Sequence, residues 1–368
     1  MKFCAPCLFG LEGLAAEEFR ELAFVNVCAE NGRVLFEGEP DLLPRANICS
    51  RFAERILIVC AQFQAHSFEA LFEGVNRVKW SDYLPENAAF PVKGWSLKSD
   101  LFSVPDCQKI IKKAIVKSLS KDYGISWFEE DGPLYQIQFS ILKNEVTVLI
   151  DTTGQGLHKR GYRAHSNEAP IKETLAAGLC KLARLRDFHT LYDPFCGSGT
   201  ILIEGALLAQ NIMPGYRRGF VSEQWDWISP SDWQRERTRA LDIIKHDTAF
   251  HAFGSDIDPQ AVELTHSNAT HFGVRKLLTL KSADISAFAP QTQKGTLITN
   301  PPYGERMMDI KSAQAIYRTM GKLFDKRPGW SYNIISPDED FERIYGERAH
   351  KRRKLYNGMI KCTYYSYF

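Results

Sequence analysis

Residues 191–200 read LYDPFCGSGT. Leu191 and Tyr192 have the character of a strand end. Asp193 and Pro194 break it, Gly197 and Gly199 turn it, and the apolar run to Ala209 has helix length. A strand passing through a glycine-rich corner into a helix is the opening unit of a doubly wound sheet. The unit recurs downstream. Ala252 to Ser255 is a strand running into GSDIDP, with a helix after Pro259. Leu278 to Lys281 is a strand ahead of SADIS, and Thr296 to Thr299 is a strand ahead of NPPY and a helix near 312–325. Tyr332 to Ile335 is a fifth strand. Lys354 to Tyr356, Asn357-Gly358 and Ile360 to Phe368 form a closing hairpin. The alternation predicts an α/β, Rossmann-like half: a doubly wound, mostly parallel seven-stranded sheet with an antiparallel final hairpin.

Upstream the pattern differs. Leu14 to Leu22 and residues 67–80 have helical spacing, while Val34 to Phe36 and Arg55 to Cys60 are strand-like. Pro105 and Asp106 start a helix whose face of Lys109, Lys112, Lys113 and Lys117 opposes an apolar face. Four like charges on one face are either solvated or neutralised by an anion, as a phosphate backbone would do. Tyr135 to Leu142 and Glu145 to Ile150 form a hairpin across Lys143-Asn144. The stretch 151–165 (DTTGQGLHKRGYRAH) marks a boundary between an α+β first half and the α/β second half.

Composition sets the outer limits. The chain has 368 residues, 44% hydrophobic and 24% charged, enough apolar material for a large core and against a wholly disordered chain. No apolar run approaches the roughly 18 residues of a membrane span, and acids interrupt the N-terminal stretch where a signal peptide would stay apolar. A cytoplasmic protein with no membrane contact is expected. The nine cysteines suggest reduced thiols. Cys4 and Cys7 lack the further ligands that zinc needs, so no metal is expected. Net charge is only +2, with 16 Lys+Arg against 20 Asp+Glu before residue 151 and 30 against 24 after it. Any basic footprint is therefore local.

Three strand ends carry an acid: Asp193, Asp256 and Asp284. In such a sheet ligands sit at the carboxyl ends of the strands. A carboxylate after the second strand suits a ribose diol, and one after the third an adenine amine. The turn lacks the phosphate-loop pattern, and Asp193 would repel a pyrophosphate. A nucleoside cofactor without phosphates fits better, and S-adenosylmethionine is such a molecule. At the fourth strand end, Asn300 and the Pro301 carbonyl offer two acceptors for the hydrogens of an aromatic amine, which would localise its lone pair. Pro302 stiffens the turn, and Tyr303 can stack on a base. Cys196 sits in the cofactor turn, where a small packing residue is a better reading than a nucleophile.

DPFCGSGT, GSDID and NPPYGERM in this order resemble a class I, S-adenosylmethionine-dependent amino-methyltransferase. The first half, LHKRGYR, APIKETLAAGL and LYNGMIKC resemble the THUMP-domain RNA methyltransferases, most closely the bacterial 23S rRNA (guanine-N2)-methyltransferase family. The resemblance implies a ferredoxin-like segment over 1–50, a THUMP RNA-binding domain over 51–156 and a methyltransferase domain over 157–368. It also implies that Asp193, Cys196, Gly197 and Gly199 line the cofactor, with Asn300 bordering it. Asp256 would hold the ribose, Ile257 flank the adenine and Asp284 meet its amine. Asn300, Pro301, Pro302 and Tyr303 would handle the target base.

The expected substrate is RNA, 23S rRNA or a ribosomal precursor; no protein partner is indicated. Expected RNA contacts are Lys109, Lys112, Lys113, Lys117, Arg160, Arg163, Arg352 and Arg353. The segment 211–245, with Trp225, Trp227 and Trp233, could stack on RNA or pack inward. Two other readings are an adenine-N6 methyltransferase acting on DNA or RNA, for which the same tetrapeptide would serve, and a non-catalytic RNA-binding protein. The roughly 150 residues ahead of the catalytic half, with only 65 after Tyr303, favour the RNA enzyme's layout. The intact motifs disfavour a dead site.

Overall fold

The computed structural model describes residues 1–163, 171–303, 310–324 and 327–368. Ala169 and Pro170 of the APIKETLAAGL stretch, and the GERM that follows NPPY, lie outside them. Two seven-stranded sheets organise the rest. The first contains β1 (Lys2–Pro6), β2 (Val25–Glu30), β3 (Arg33–Glu37), β4 (Leu57–Gln64), β5 (Val92–Leu97), β6 (Ile137–Leu142) and β7 (Glu145–Asp151), with helices α1 (Glu12–Glu21), α2 (Leu43–Cys49), α3 (Phe68–Asn76) and α4 (Val104–Tyr123). Its order is β2-β3-β1-β4-β7-β6-β5. Strands β1 and β4 pair directly, Phe3 opposite Ile58, so the elements before residue 50 and those after it share one sheet. Between β6 and β7, Lys143 and Asn144 both take positive φ (52° and 67°), the two-residue turn expected for a right-twisted hairpin.

The second half runs α5 (Glu173–Leu182), β8 (Thr190–Asp193), α6 (Thr200–Ala209), α7 (Pro230–Asp242), β9 (His251–Asp256), α8 (Pro259–Phe272), β10 (Leu278–Ser282) and β11 (Gly295–Thr299). It continues through α9 (Ile310–Leu323), β12 (Trp330–Ser336), α10 (Phe341–Tyr345), β13 (Lys351–Asn357) and β14 (Ile360–Tyr367). The order is β10-β9-β8-β11-β12-β14-β13; β8 to β12 are parallel and the last two antiparallel. Every residue of β11 is buried, as a central parallel strand covered on both faces requires. Strand order reverses between β8 and β11. That junction is the topological switch point, where such sheets open a crevice for a ligand. The doubly wound expectation therefore holds, hairpin included. One boundary moved: β13 begins at Lys351 rather than Lys354. It is an edge strand, and its four leading cations are exposed, a placement that edge strands tolerate and central ones do not.

The segment between α6 and β9 belongs physically to the first half. Phe220, Trp225, Ile228, Trp233 and Ala240 join the same apolar core as Phe3, Phe36 and Ile150. Trp225 is 2% exposed and stacks on Tyr135 at 4.4 Å. Its indole N–H donates to the Leu134 carbonyl at 3.0 Å, and that of Trp227 to Tyr83 at 3.2 Å. The tryptophans thus pack inward. Arg45 on α2 grips Glu236 on α7 with two hydrogen bonds, 2.8 and 3.0 Å. Burial alone would raise the Glu236 carboxyl, but the bonds from Arg45 and Arg239 outweigh it and hold the group below its ordinary value.

No helix among the described residues is long and apolar enough to cross a membrane, and all nine cysteines carry free thiols. Trp225→Ala would remove a fully packed indole and leave the Leu134 carbonyl unpaired. A loss of about 3–5 kcal/mol is expected in equilibrium urea unfolding. A loss below about 1 kcal/mol would show that the insertion does not share the core.

Candidate active site

Asp193 ends β8 and is 1% exposed. The Thr299 hydroxyl, at the end of β11, donates to its Oδ1 at 2.6 Å, and the Phe195 amide donates at 3.1 Å. The switch point is therefore bridged by a side-chain hydrogen bond. Burial pushes the Asp193 carboxyl from its ordinary 3.8 up to about 7, the two bonds pull it back in part, and Asp256 adds to the rise. A carboxylate in that state favours a cation beside it.

The turn after β8 is held from α8. Thr265 donates to the Gly197 carbonyl at 2.8 Å, and Asn268 to that of Ser198 at 3.0 Å. Gly199 has φ +79°, and a Cβ there would sit 2.5 Å from the Thr265 methyl. Only glycine lets α8 approach so closely. Gly197 is the opposite case: a Cβ would meet nothing within 4 Å, so this glycine borders open space.

Asp256, at the end of β9, accepts from the Gly197 amide at 2.9 Å through one oxygen and from Asp258 at 3.1 Å through the other. Two carboxylate oxygens offer about four acceptor positions, so two bonds leave room for a diol. Beside it Ile257 is 70% exposed, an apolar surface with no partner of its own. Asp284 is exposed and accepts from the Ser286 amide at 2.8 Å; the Ser286 side chain, and then its amide, hold the carboxyl below the ordinary value. A pocket bounded by Asp193, Pro194, Gly254, Ser255, Lys281 and Phe288 adjoins these strand ends.

Asn300 continues β11 one residue past Thr299, and its side chain makes no hydrogen bond among the described residues. The following turn is braced on both sides. Tyr317 of α9 donates to the Pro302 carbonyl at 3.4 Å, and Asn357 at the end of β13 donates to the Tyr303 hydroxyl at 2.7 Å. The structure thus brings Asp193, Gly197, Gly199, Asp256 and Ile257 to one crevice, with Asn300 at its edge. Cys196 is 5% exposed, lies against Thr265, and burial holds its thiol well above the ordinary range. It packs under the turn, and burial with a raised thiol disfavours the reactive thiolate. Among the described residues, no cluster of three His, Cys, Asp or Glu could hold a metal ion.

Three expected RNA contacts are corrected. Arg160 is 2% exposed; it donates to the carbonyls of Leu157 and Arg51 and faces Glu204 at 3.5 Å. It holds the two halves together. Arg163 is turned inward, donating to Thr200 at 2.7 Å and facing Glu173 at 3.4 Å. Lys112 pairs with Glu130 and lies 3.3 Å from the centre of the Phe90 ring. Burial lowers its ammonium against the pull of Glu130. Lys109, Lys113 and Lys117 are exposed, as are Arg352, which pairs with Glu342 at 2.9 Å, and Arg353, which donates to the Gly10 carbonyl at 2.7 Å.

Other contributors were not anticipated. Thr299, Asn357, Thr265 and Asn268 act by position only, although the last pair, two polar residues three apart on a buried helix face, is a readable sign. Phe102 and Trp127, 82% and 75% exposed, flank the two ends of α4.

Comparison with known proteins agrees with this layout. Residues 160–366 match the family described as RMKL-like, methyltransferase domain; residues 2–57 match the RlmL ferredoxin-like domain and residues 65–151 the THUMP domain. The Bacillus subtilis (strain 168) protein named "Putative RNA methyltransferase YpsC" is 43% identical over 366 residues, 99% of this chain and 95% of that protein. The "Ribosomal RNA large subunit methyltransferase K/L" of Psychromonas ingrahamii is 31% identical over all of this chain, which spans 50% of its length. The crystal structure of SMU.472, described as "a putative methyltransferase complexed with SAH", has a TM-score of 0.95 at 39% identity, covering 100% of this chain and 97% of that one. The chain belongs to the RMKL-like methyltransferase family, joined to a ferredoxin-like and a THUMP domain.

Proposed function

We propose that this protein transfers a methyl group from S-adenosylmethionine to an exocyclic base amine in RNA, guanine N2 in 23S rRNA or its precursor. One observation carries the reading. The acceptor side chain of Asn300 stands one residue from the hydrogen bond that closes the cofactor crevice.

The residues of that crevice fit the cofactor. Asp193 is a buried carboxyl with no cation paired to it among the described residues, suited to the ammonium of a methionine moiety. Asp256 has free acceptor positions for the ribose, Ile257 an uncovered apolar face for the adenine, and Asp284 an exposed acceptor for its amine. Gly197 leaves open space against the ligand, and Cys196 supports the turn from beneath. Bound there, S-adenosylmethionine supplies an electrophilic methyl group. Asn300 Oδ1 and the Pro301 carbonyl accept the hydrogens of the target amine, Pro302 fixes the turn, and Tyr303 stacks on the base. In-line transfer would form the N–C bond from the amine lone pair while the S–C electron pair stays on sulfur as a thioether, and the methylated amine would lose one proton to solvent. Rate comes mainly from positioning. The relative named as an RNA methyltransferase, the one named for the large ribosomal subunit and the relative solved with SAH support this assignment.

Residues 1–50, 51–156 and 157–368 are taken as ferredoxin-like, THUMP and methyltransferase parts. Lys109, Lys113 and Lys117, with Phe102 and Trp127 at the helix ends, form a surface suited to RNA: cations for phosphates and rings for bases. Arg352 and Arg353 add cations on the edge strand.

Three tests follow from these roles. Labelled cofactor incubated with unmodified 23S rRNA should yield N2-methylguanosine on mass spectrometry; N6-methyladenosine, or label entering DNA instead, would replace the assignment. Asn300→Ala should cut turnover by about 100-fold or more while leaving cofactor affinity intact; near-full turnover would remove its role.

The third test uses pH. Asp193 has a folded value raised from 3.8 to about 7, so between those limits the folded protein holds a proton that the unfolded chain does not. Its stability contribution therefore falls as pH rises through that window. A bound ammonium would favour ionisation, so cofactor binding near pH 6 should release a proton, seen by calorimetry in buffers of different ionisation enthalpy. Asp193→Asn should abolish the release. Equal release from both proteins would separate Asp193 from the cofactor.

A further inference from the structure

Among the exposed large apolar side chains, Met359 stands out at 97% exposed. It occupies the tip of the β13–β14 hairpin. Asn357 pairs with Ile360, so the loop is two residues, Gly358 and Met359. Gly358 has φ +63°, the positive value that a tight hairpin turn of the II′ kind needs at its first loop position. The turn is short and geometrically defined, so Met359 is presented from a rigid base.

Register gives the tip's height. Thr299 pairs with Ile334, and Ile334 with Tyr365. Ile360 lies five residues beyond Tyr365, roughly 17 Å of extended strand, on the side of the carboxyl ends of β8 and β11. The tip therefore rises above the strand ends on the side where the crevice opens, with β12 between the hairpin and β11. It is also tied to the target-base pocket, because Asn357 donates to the Tyr303 hydroxyl at 2.7 Å. Cations stand on both strands behind it: Lys354, whose ammonium lies 5.7 Å from the Tyr356 ring centre, and Lys361.

A base drawn to Asn300 leaves its neighbours unstacked, at a cost of a few kcal/mol. Proteins that open a stack frequently insert an apolar side chain such as Phe, Leu, Ile or Met into the gap. Methionine is long, flexible and polarizable, and this one packs into none of the hydrophobic clusters of the described residues. We infer that Met359 is a wedge that enters the RNA stack and fills the place vacated by the target base. It is a positioning residue, and the inference rests on the RNA methyl-transfer reading above. Lys354 and Lys361 would meet the flanking phosphates.

The test compares wild type, Met359→Ala and Met359→Leu on 23S rRNA transcribed in vitro, with turnover, KM for RNA and cofactor affinity each measured. A wedge acts after docking. Ala should therefore lower kcat about ten-fold, equivalent to about 1.4 kcal/mol, with KM and cofactor affinity within about two-fold, and Leu should restore most of the rate. Three results would overturn the wedge while leaving the methyl-transfer reading standing: an Ala variant with wild-type kcat, a loss confined to KM, or Leu no better than Ala. A wild-type protein inert on the RNA would remove both.

Discussion

The hydrogen bond from Thr299 to Asp193 joins the ends of β8 and β11 at the point where strand order reverses. Two constraints meet there. The sheet leaves a crevice between these strands because their following helices depart to opposite faces. The bond sets how far apart the two ends lie. Asp193 then faces the glycine turn, and half-buried Asn300 follows one residue beyond Thr299. A carboxylate 1% exposed, with no cation paired to it among the described residues, costs stability. That cost is intelligible if the group is kept for a ligand rather than for the fold.

The same crevice is coupled to the rest of the molecule by polar contacts. Thr265 and Asn268 hold the turn from α8. Glu204 lies inside α6, the helix that leaves this turn, and is fully buried; burial raises its carboxyl while Arg160 opposes the rise. Arg160 in turn donates to Arg51, in the first half of the chain. Arg163, three residues on, reaches Thr200 at the first position of α6. The short segment 157–163 therefore joins the N-terminal module to the helix that carries the cofactor turn. The inward-packed tryptophans of residues 220–240 make a second join, through the apolar core. The N-terminal half and the methyltransferase half are held in register by both.

The catalytic half was legible in the sequence because its information is local. Strand ends, glycines and prolines sit at fixed places in the chain, and a parallel sheet converts that order into position. The cations were less legible. Arg160, Arg163 and Lys112 look like any other basic residues, and only tertiary contacts show that each is matched to a buried or half-buried acid. Lys351 to Lys354 look like a turn until β14 supplies a partner along their length. The tryptophans of the insertion were ambiguous for the same reason, since inward packing depends on Tyr135 and Leu134, some 90 residues away. Thr299, Asn357 and Met359 matter through register, which no single segment reveals.

Methyl transfer on this fold requires one arrangement: an adenosyl cleft and a base pocket opening toward each other across the β8–β11 junction. A crystal structure of this protein with S-adenosylhomocysteine tests it most directly. The expected result is a ribose on Asp256, an adenine over Ile257 and the thioether sulfur directed at the Asn300 side chain. A ligand bound with its sulfur turned away from Asn300, or bound elsewhere on the sheet, would contradict it.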